Sequence, residues 1–151
     1  MIARWHHVLA SVLLLGICMF AKGTEESLDA LKARAERARL QDQPHLFATI
    51  ARREVTEADN FYTQGDVADG AKVVDDLVHY AGRAAEAAQK SGKHLKDTEI
   101  VLRETARRLD DVRKSLNFED RPHVEAAVKQ VEKFRQQLLD RMFGLSKESH
   151  K

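Results

Sequence analysis

Leu95, Thr98, Leu102, Thr105, Leu109, Val112 and Leu116 stand three and four residues apart without a break. Only an α-helix turns that spacing into one continuous face, because strand side chains alternate every two residues. The seam runs over three heptads and has the narrow form of a coiled-coil contact. Helical spacing recurs through most of the chain, which carries seven glycines and two prolines in 151 residues. Ala, Leu, Arg, Lys, Glu and Gln, the stronger helix formers, are abundant. The fold class expected is all-α: a bundle of about four to five antiparallel helices, as two long helical hairpins plus a short first helix.

The spacing predicts a first helix over 28–40, with Ser27 as N-cap and Leu28, Leu31, Ala35 and Ala38 on one thin apolar face. A second helix is expected over 43–63, capped by Asp42 with Pro44 in its first turn. Its buried side reads Phe47, Ile50, Ala51, Val55, Ala58, Phe61 and Tyr62. Gly65 ends it and Asp66 caps a third helix over 67–90. That helix carries two adjacent seams: Val67, Ala71, Val74, Val78, Ala81, Ala85 and Ala88, and beside them Gly70, Val73, Leu77, Tyr80, Ala84 and Ala87. So wide a face suits a central helix with two or more neighbours. Ser91-Gly92 stops it.

The fourth helix is expected over 95–116, its outside laced by pairs such as Glu99 with Arg103 and Glu104 with Arg108. A short turn over 117–121 leads to the fifth, with Asp120 or Arg121 capping and Pro122 in the first turn. Val124, Val128, Val131, Phe134, Leu138 and Met142 face inward, and Gly144 closes the helix after Phe143. Short connections make helices two and three, and helices four and five, antiparallel neighbours.

Ahead of these helices, residues 1–23 have the order of an export signal. Arg4 with His6 and His7 forms the basic start, Val8 to Ala21 the apolar run, and Ala21-Lys22-Gly23 the small-residue cleavage site before Thr24. Cutting after Ala21 instead would place the bulkier Met19 at the third-last position. An uncleaved anchor is the rival reading, but fourteen residues fall short of the roughly 20 that span a bilayer. Lipidation at Cys18 is a third, opposed by Ile17 where a small residue is wanted. The domain organisation expected is a signal peptide at 1–23, one helical domain at 24–145 and a flexible tail at 146–151. The localisation expected is periplasmic or secreted.

Cys18 is the only cysteine, so a mature chain beginning at Thr24 has none. Disulfides, cysteine-ligated zinc and thiol nucleophiles are thereby excluded from it. Removing Arg4 and Lys22 leaves 23 basic against 24 acidic side chains. Such a balance gives no electrostatic reason to expect nucleic acid as a partner. Membrane contact is expected only through an uncleaved N-terminus. Arg34, Arg37 and Arg39, and separately Arg103, Arg107 and Arg108, cluster basic charge. The interleaved Glu36, Glu99, Glu104, Asp110 and Asp111 make these solvated mixed faces rather than anion sites.

No constellation of catalytic groups stands out, and the site expectation is empty: no catalytic, cofactor-binding or metal residue, and no cofactor. His79 follows Asp75 by four and Asp76 by three, one potential carboxylate–histidine face. A di-iron bundle would need two Glu-x-x-His motifs and two further glutamates, which His45, His94, His123 and His150 do not supply. His79 therefore reads as a surface or packing residue. Glu119 and His123 read as a capping cluster about Pro122. Met142 could ligate haem in principle, but it sits on an ordinary core stripe, and Met19 belongs to the export segment. There is no Gly-rich phosphate loop, serine nucleophile elbow, His-Glu-x-x-His helix or Cys-x-x-Cys-His.

Phe61-Tyr62-Thr63-Gln64-Gly65-Asp66, followed by a helix with small residues, resembles the turn of a tetratricopeptide hairpin. The resemblance puts Ala58 at the small position of the first helix, Phe61 at its aromatic position and Gly70 at the small position of the second. This sequence departs from the family at Leu77, where alanine is usual, at Glu54, where tryptophan is, and at Gly82, where proline is. The likeness covers about a fifth of the chain, with no second copy at a 34-residue period. The whole chain looks similar to exported helical proteins of bacteria. The expectation for function is a non-enzymatic module that binds another protein or itself. A metal, haem or small-ligand carrier and a membrane-anchored envelope protein are the alternatives.

Overall fold

The computed structural model describes residues 26–144, so the expectations on residues 1–23 and 146–151 lie outside the described residues. Five helices follow in order: α1 Leu28–Arg37, α2 Gln43–Gln64, α3 Val67–Ser91, α4 Leu95–Ser115 and α5 Arg121–Phe143. The described residues contain no strand, and the fold is an all-α bundle.

The helix ends show how the sequence sets the boundaries. Ser27 Oγ accepts from the Ala30 N–H at 3.2 Å, the N-cap expected for α1. That helix stops at Arg37, three residues before the expected Leu40. Ala38 turns extended (φ −70°, ψ 154°), and Asp42 and Gln43 both donate their N–H to the Arg39 carbonyl in a separate turn. Asp42, Asp66 and Asp120 stand at N-cap positions without the expected side-chain bonds. Asp42 and Asp120 already have helical backbone, not the extended geometry that aims a cap side chain inward. Arg121 Nε caps the preceding helix instead, donating to the Leu116 carbonyl at 2.9 Å. After α2 the Asp66 N–H reaches the Phe61 carbonyl and the Gly65 N–H reaches Tyr62. Gly65 makes this closure possible by taking φ +84°.

α2 and α3 pair antiparallel, as do α4 and α5. The hairpins then join side by side in parallel: α3 runs with α5, since Asp75 meets His123 and Gly82 meets Phe134. α2 runs with α4, since Thr56 meets Arg108. α3 and α4 touch across the diagonal, whereas α2 and α5 stay apart. Both hairpin turns therefore lie at one end of the bundle, and the α1–α2 and α3–α4 links lie at the other.

One core unites the two hairpins. Val55, Val74, Leu77, Leu102, Leu109, Val124, Val131 and Leu138 are each at most 1 % exposed and belong to a single cluster. The heptad seam of α4 is buried as expected, except that Leu95 is half-buried. Small residues on α3 let backbones approach: the Phe134 ring lies 3.0 Å from where a Gly82 Cβ would stand. A second cluster holds α1, with Leu31 and Ala35 packed on Leu46, Phe47, Ile50 and Ala84. Three expectations about faces need correction. Phe61 and Tyr62 are only half-buried, and Val67 is exposed, because they flank the Gly65 turn at the bundle's end. Glu99 is not on the solvent side with Arg103: adjacent to the α4 seam, it faces α5 and accepts from Arg135 Nε at 2.7 Å. Arg108 donates to Thr56 on α2 rather than pairing with Glu104.

Candidate functional site

The densest cluster of charge and aromatic surface lies where α1 crosses the α2–α3 hairpin. It begins with Glu54, which sits three, four and seven residues after Ala51, Ile50 and Phe47 and so shares their buried face. Glu54 is 1 % exposed. Lys32 Nζ of α1 stands 2.8 Å from its Oε1 and 3.2 Å from Asp76 Oδ2 of α3. The ammonium lies off the line of a hydrogen bond to Glu54, leaving both its oxygens without a directed donor among the described residues. Burial pushes the Glu54 carboxyl up to about 7, against the opposing pull of Lys32 and with a smaller push from Asp76 and Glu57. Burial alone would lower Lys32, but Glu54 and Asp76 outweigh it and hold the ammonium above its ordinary range.

Aromatic rings extend this charge pair into a clasp. Lys32 Nζ lies 5.2 Å from the Tyr80 ring centre, and Tyr80 stacks on Phe47 at 6.0 Å. On the far side the Arg83 guanidinium covers Phe47 at 4.1 Å and takes both carboxylate oxygens of Glu36 from α1. The Arg83 bond holds Glu36 below the usual carboxylate range. Arg34 adds a bidentate pair with Glu26, at 3.0 and 2.7 Å. The arrangement fastens a ten-residue helix that is too short to persist alone. It brings together a buried acid with a raised pKa, the Lys32 ammonium and, across that ammonium, the Asp76 carboxylate.

The residues weighed in the sequence fall elsewhere. His79 is exposed and meets the edge of the Tyr80 ring at 5.2 Å. Asp75 turns to His123, 3.2 Å away on α5, so the expected Glu119–His123 cluster does not form. His123 points across the parallel α3–α5 contact, while exposed Glu119 stays in the turn. Met142 is half-buried on the inward stripe of α5. Arg39 approaches Asp42 at 4.0 Å. Among the described residues no group of three His, Cys, Asp or Glu side chains could hold a metal ion.

Two open grooves mark the flanks. One lies between α3 and α5, floored by Val78, Gly82 and Phe134 and rimmed by His79, Lys90 and Asp140. The other runs between α1 and the start of α2, floored by Ala30, Ala33 and Leu46 and rimmed by Arg37, His45 and His94. Lys32 and Arg83 were not singled out by the sequence, and Asp76 and Tyr80 were read there in other roles, beside His79 and on an apolar seam. The one available signal was Glu54, a charge on an otherwise apolar stripe. No family model, curated protein or solved structure matches this chain.

Proposed function

We propose that this chain is an exported, non-enzymatic helical module that acts by binding another protein or by self-association. The observation that carries the reading is the placement of large apolar side chains in solvent at the ends of a bundle whose flanks carry ion pairs. Phe118 is 83 % exposed and Phe143 70 %, with Leu40 and Val67 also exposed. Exposed aromatic side chains are common anchors of protein contacts. The grooves support the same reading, since shallow open clefts suit a macromolecular surface better than an enclosed small ligand. Export rests on the order of residues 1–23 alone. No helix among the described residues is long and apolar enough to cross a membrane.

The test is light scattering of the purified chain together with crosslinking in its native cells. Association of the chain, or a reproducible crosslinked partner, is expected. A strict monomer that crosslinks to nothing overturns the reading.

A further inference from the structure

The large apolar side chains exposed among the described residues are all at the ends of the bundle, and each end holds two. At the hairpin-turn end are Val67, the first residue of α3, and Phe118 in the α4–α5 turn. At the opposite end are Leu40 in the α1–α2 link and Phe143, the last residue of α5. The flanks between them carry ion pairs within one helix, such as Lys90 with Glu86 and Lys129 with Glu125.

The charge at the two ends is opposite. Asp66, Glu119 and Asp120 surround the turns and have no ion-pair partner among the described residues. Of the nearby cations, Lys72 pairs with Asp69 and Lys114 with Asp110 and Asp111, while Arg121, bonded to the neutral Leu116 carbonyl, sets one positive charge against those three acids. At the other end Arg37, Lys93 and Arg141 are exposed and likewise without an acidic partner among the described residues. Of the acids there, Asp42 meets Arg39, whereas Asp97 meets only the His94 imidazole and Asp140 only the Gln136 amide, so the three unpaired cations still outnumber the acids without a cationic partner.

We infer that copies of this chain associate head to tail, the Val67–Phe118 end of one meeting the Leu40–Phe143 end of the next. The inference rests on the self-association arm of the proposed function. Like ends repel and unlike ends attract, so the contact is heterologous and propagates into open chains or closes into a ring. Four helices about 10 Å wide present roughly 400 Å² per face. That is about half the area per partner of a standard stable interface, so the contact is weak and concentration-dependent. Screening over a Debye length of about 10 Å at 0.1 M salt weakens it further as salt rises.

Two variants of the full chain test this. Phe118→Ser with Glu119→Lys disables the acidic end, and Phe143→Ser with Arg141→Glu disables the basic end. All four positions are exposed, and unchanged thermal melts confirm that each variant folds. Sedimentation velocity of the wild-type chain is expected to show a weight-average coefficient rising continuously with concentration and falling in 0.5 M salt. Each variant alone should stay monomeric, and an equimolar mixture should form dimers and nothing larger. A wild-type chain that stays monomeric throughout overturns the head-to-tail contact but leaves a different protein partner open to the crosslinking test. If wild-type and both variants associate alike, self-association survives and its site is not at the ends. A mixture that stays monomeric also overturns the inference.

Discussion

Lys32 Nζ stands 2.8 Å from a Glu54 carboxylate that is 1 % exposed, and this contact ties α1 to the bundle at its most buried charge. Removing one partner of a buried pair leaves the other charge uncompensated, whereas replacing both by apolar groups of similar size is often neutral or stabilising. Lys32→Met is therefore expected to cost about 2–4 kcal/mol, reduced from the fully buried case because Lys32 keeps contact with water. Lys32→Met combined with Glu54→Leu should recover most of that loss. Urea denaturation of the two single variants and the double variant checks this; a double variant no more stable than Lys32→Met alone contradicts it.

The same burial makes stability depend on pH. Glu54 titrates near 4.5 in the unfolded chain and near 7 in the fold, so the folded state holds its proton more tightly. Its contribution is fully present below about pH 4.5 and is lost as pH rises through about 7. Lys32 on α1, Asp76 on α3 and Glu57 on α2 are the charges facing it, and Lys32 remains cationic throughout this window. Glu54→Gln should flatten the stability profile between pH 4.5 and 7. It should leave the decline at lower pH, because Glu36, Glu86, Asp110 and Glu125 are held below their ordinary range by basic neighbours. Chemical denaturation from pH 3.5 to 8 measures both limbs. A slope across pH 4.5–7 identical to wild type counts against the assignment.

Backbone handedness gives a pair of opposite outcomes. Gly65 has φ +84° with nothing within 4 Å of an added Cβ, so Gly65→Ala costs only the left-handed backbone penalty of about 1–2 kcal/mol. His94 is the one non-glycine residue with positive φ among the described residues, at +58°. His94→Gly should relieve that strain and gain up to about 1 kcal/mol, less the loss of its 3.4 Å contact with Asp97. Thermal melts of the two variants should shift in opposite directions.

The fold was legible because each helix carries its own apolar period, and Ser27, Gly65, Gly92 and Gly144 punctuate it. Leu102, Leu109 and Leu116 are buried where their seven-residue spacing puts them. Period alone does not say which helices become neighbours. The parallel pairing of α3 with α5 rests on long-range contacts such as Gly82 with Phe134, for which the sequence has no local mark. The clasp escaped for a related reason. Lys32 and Arg83 carry no local mark in the sequence, Glu36 read as part of a mixed face and Asp76 as a neighbour of His79, and only the crossing of α1 over two others brings them together. Glu99 was misread because a residue one step off a seam faces water or a second neighbour according to the packing.

The two hydrophobic clusters imply that α1 can leave without unfolding the rest. No α1 residue belongs to the cluster that unites α2, α3, α4 and α5; α1 buries Leu31 and Ala35 against a smaller one built on Leu46, Phe47 and Ile50. Leu31 is 1 % exposed, and truncating a buried leucine to alanine costs about 2–5 kcal/mol. α1 also depends on tertiary contact, since an isolated helix of its ten residues would not form in water. Leu31→Ala should therefore raise hydrogen exchange in residues 28–37 by tenfold or more, while amides in the middle of α3 and α4 stay protected. Hydrogen-exchange mass spectrometry at fixed pH reads both regions at once. If protection in α3 and α4 fell in step with α1, the helix would be part of one cooperative unit with the bundle, and α1 would have no independent motion.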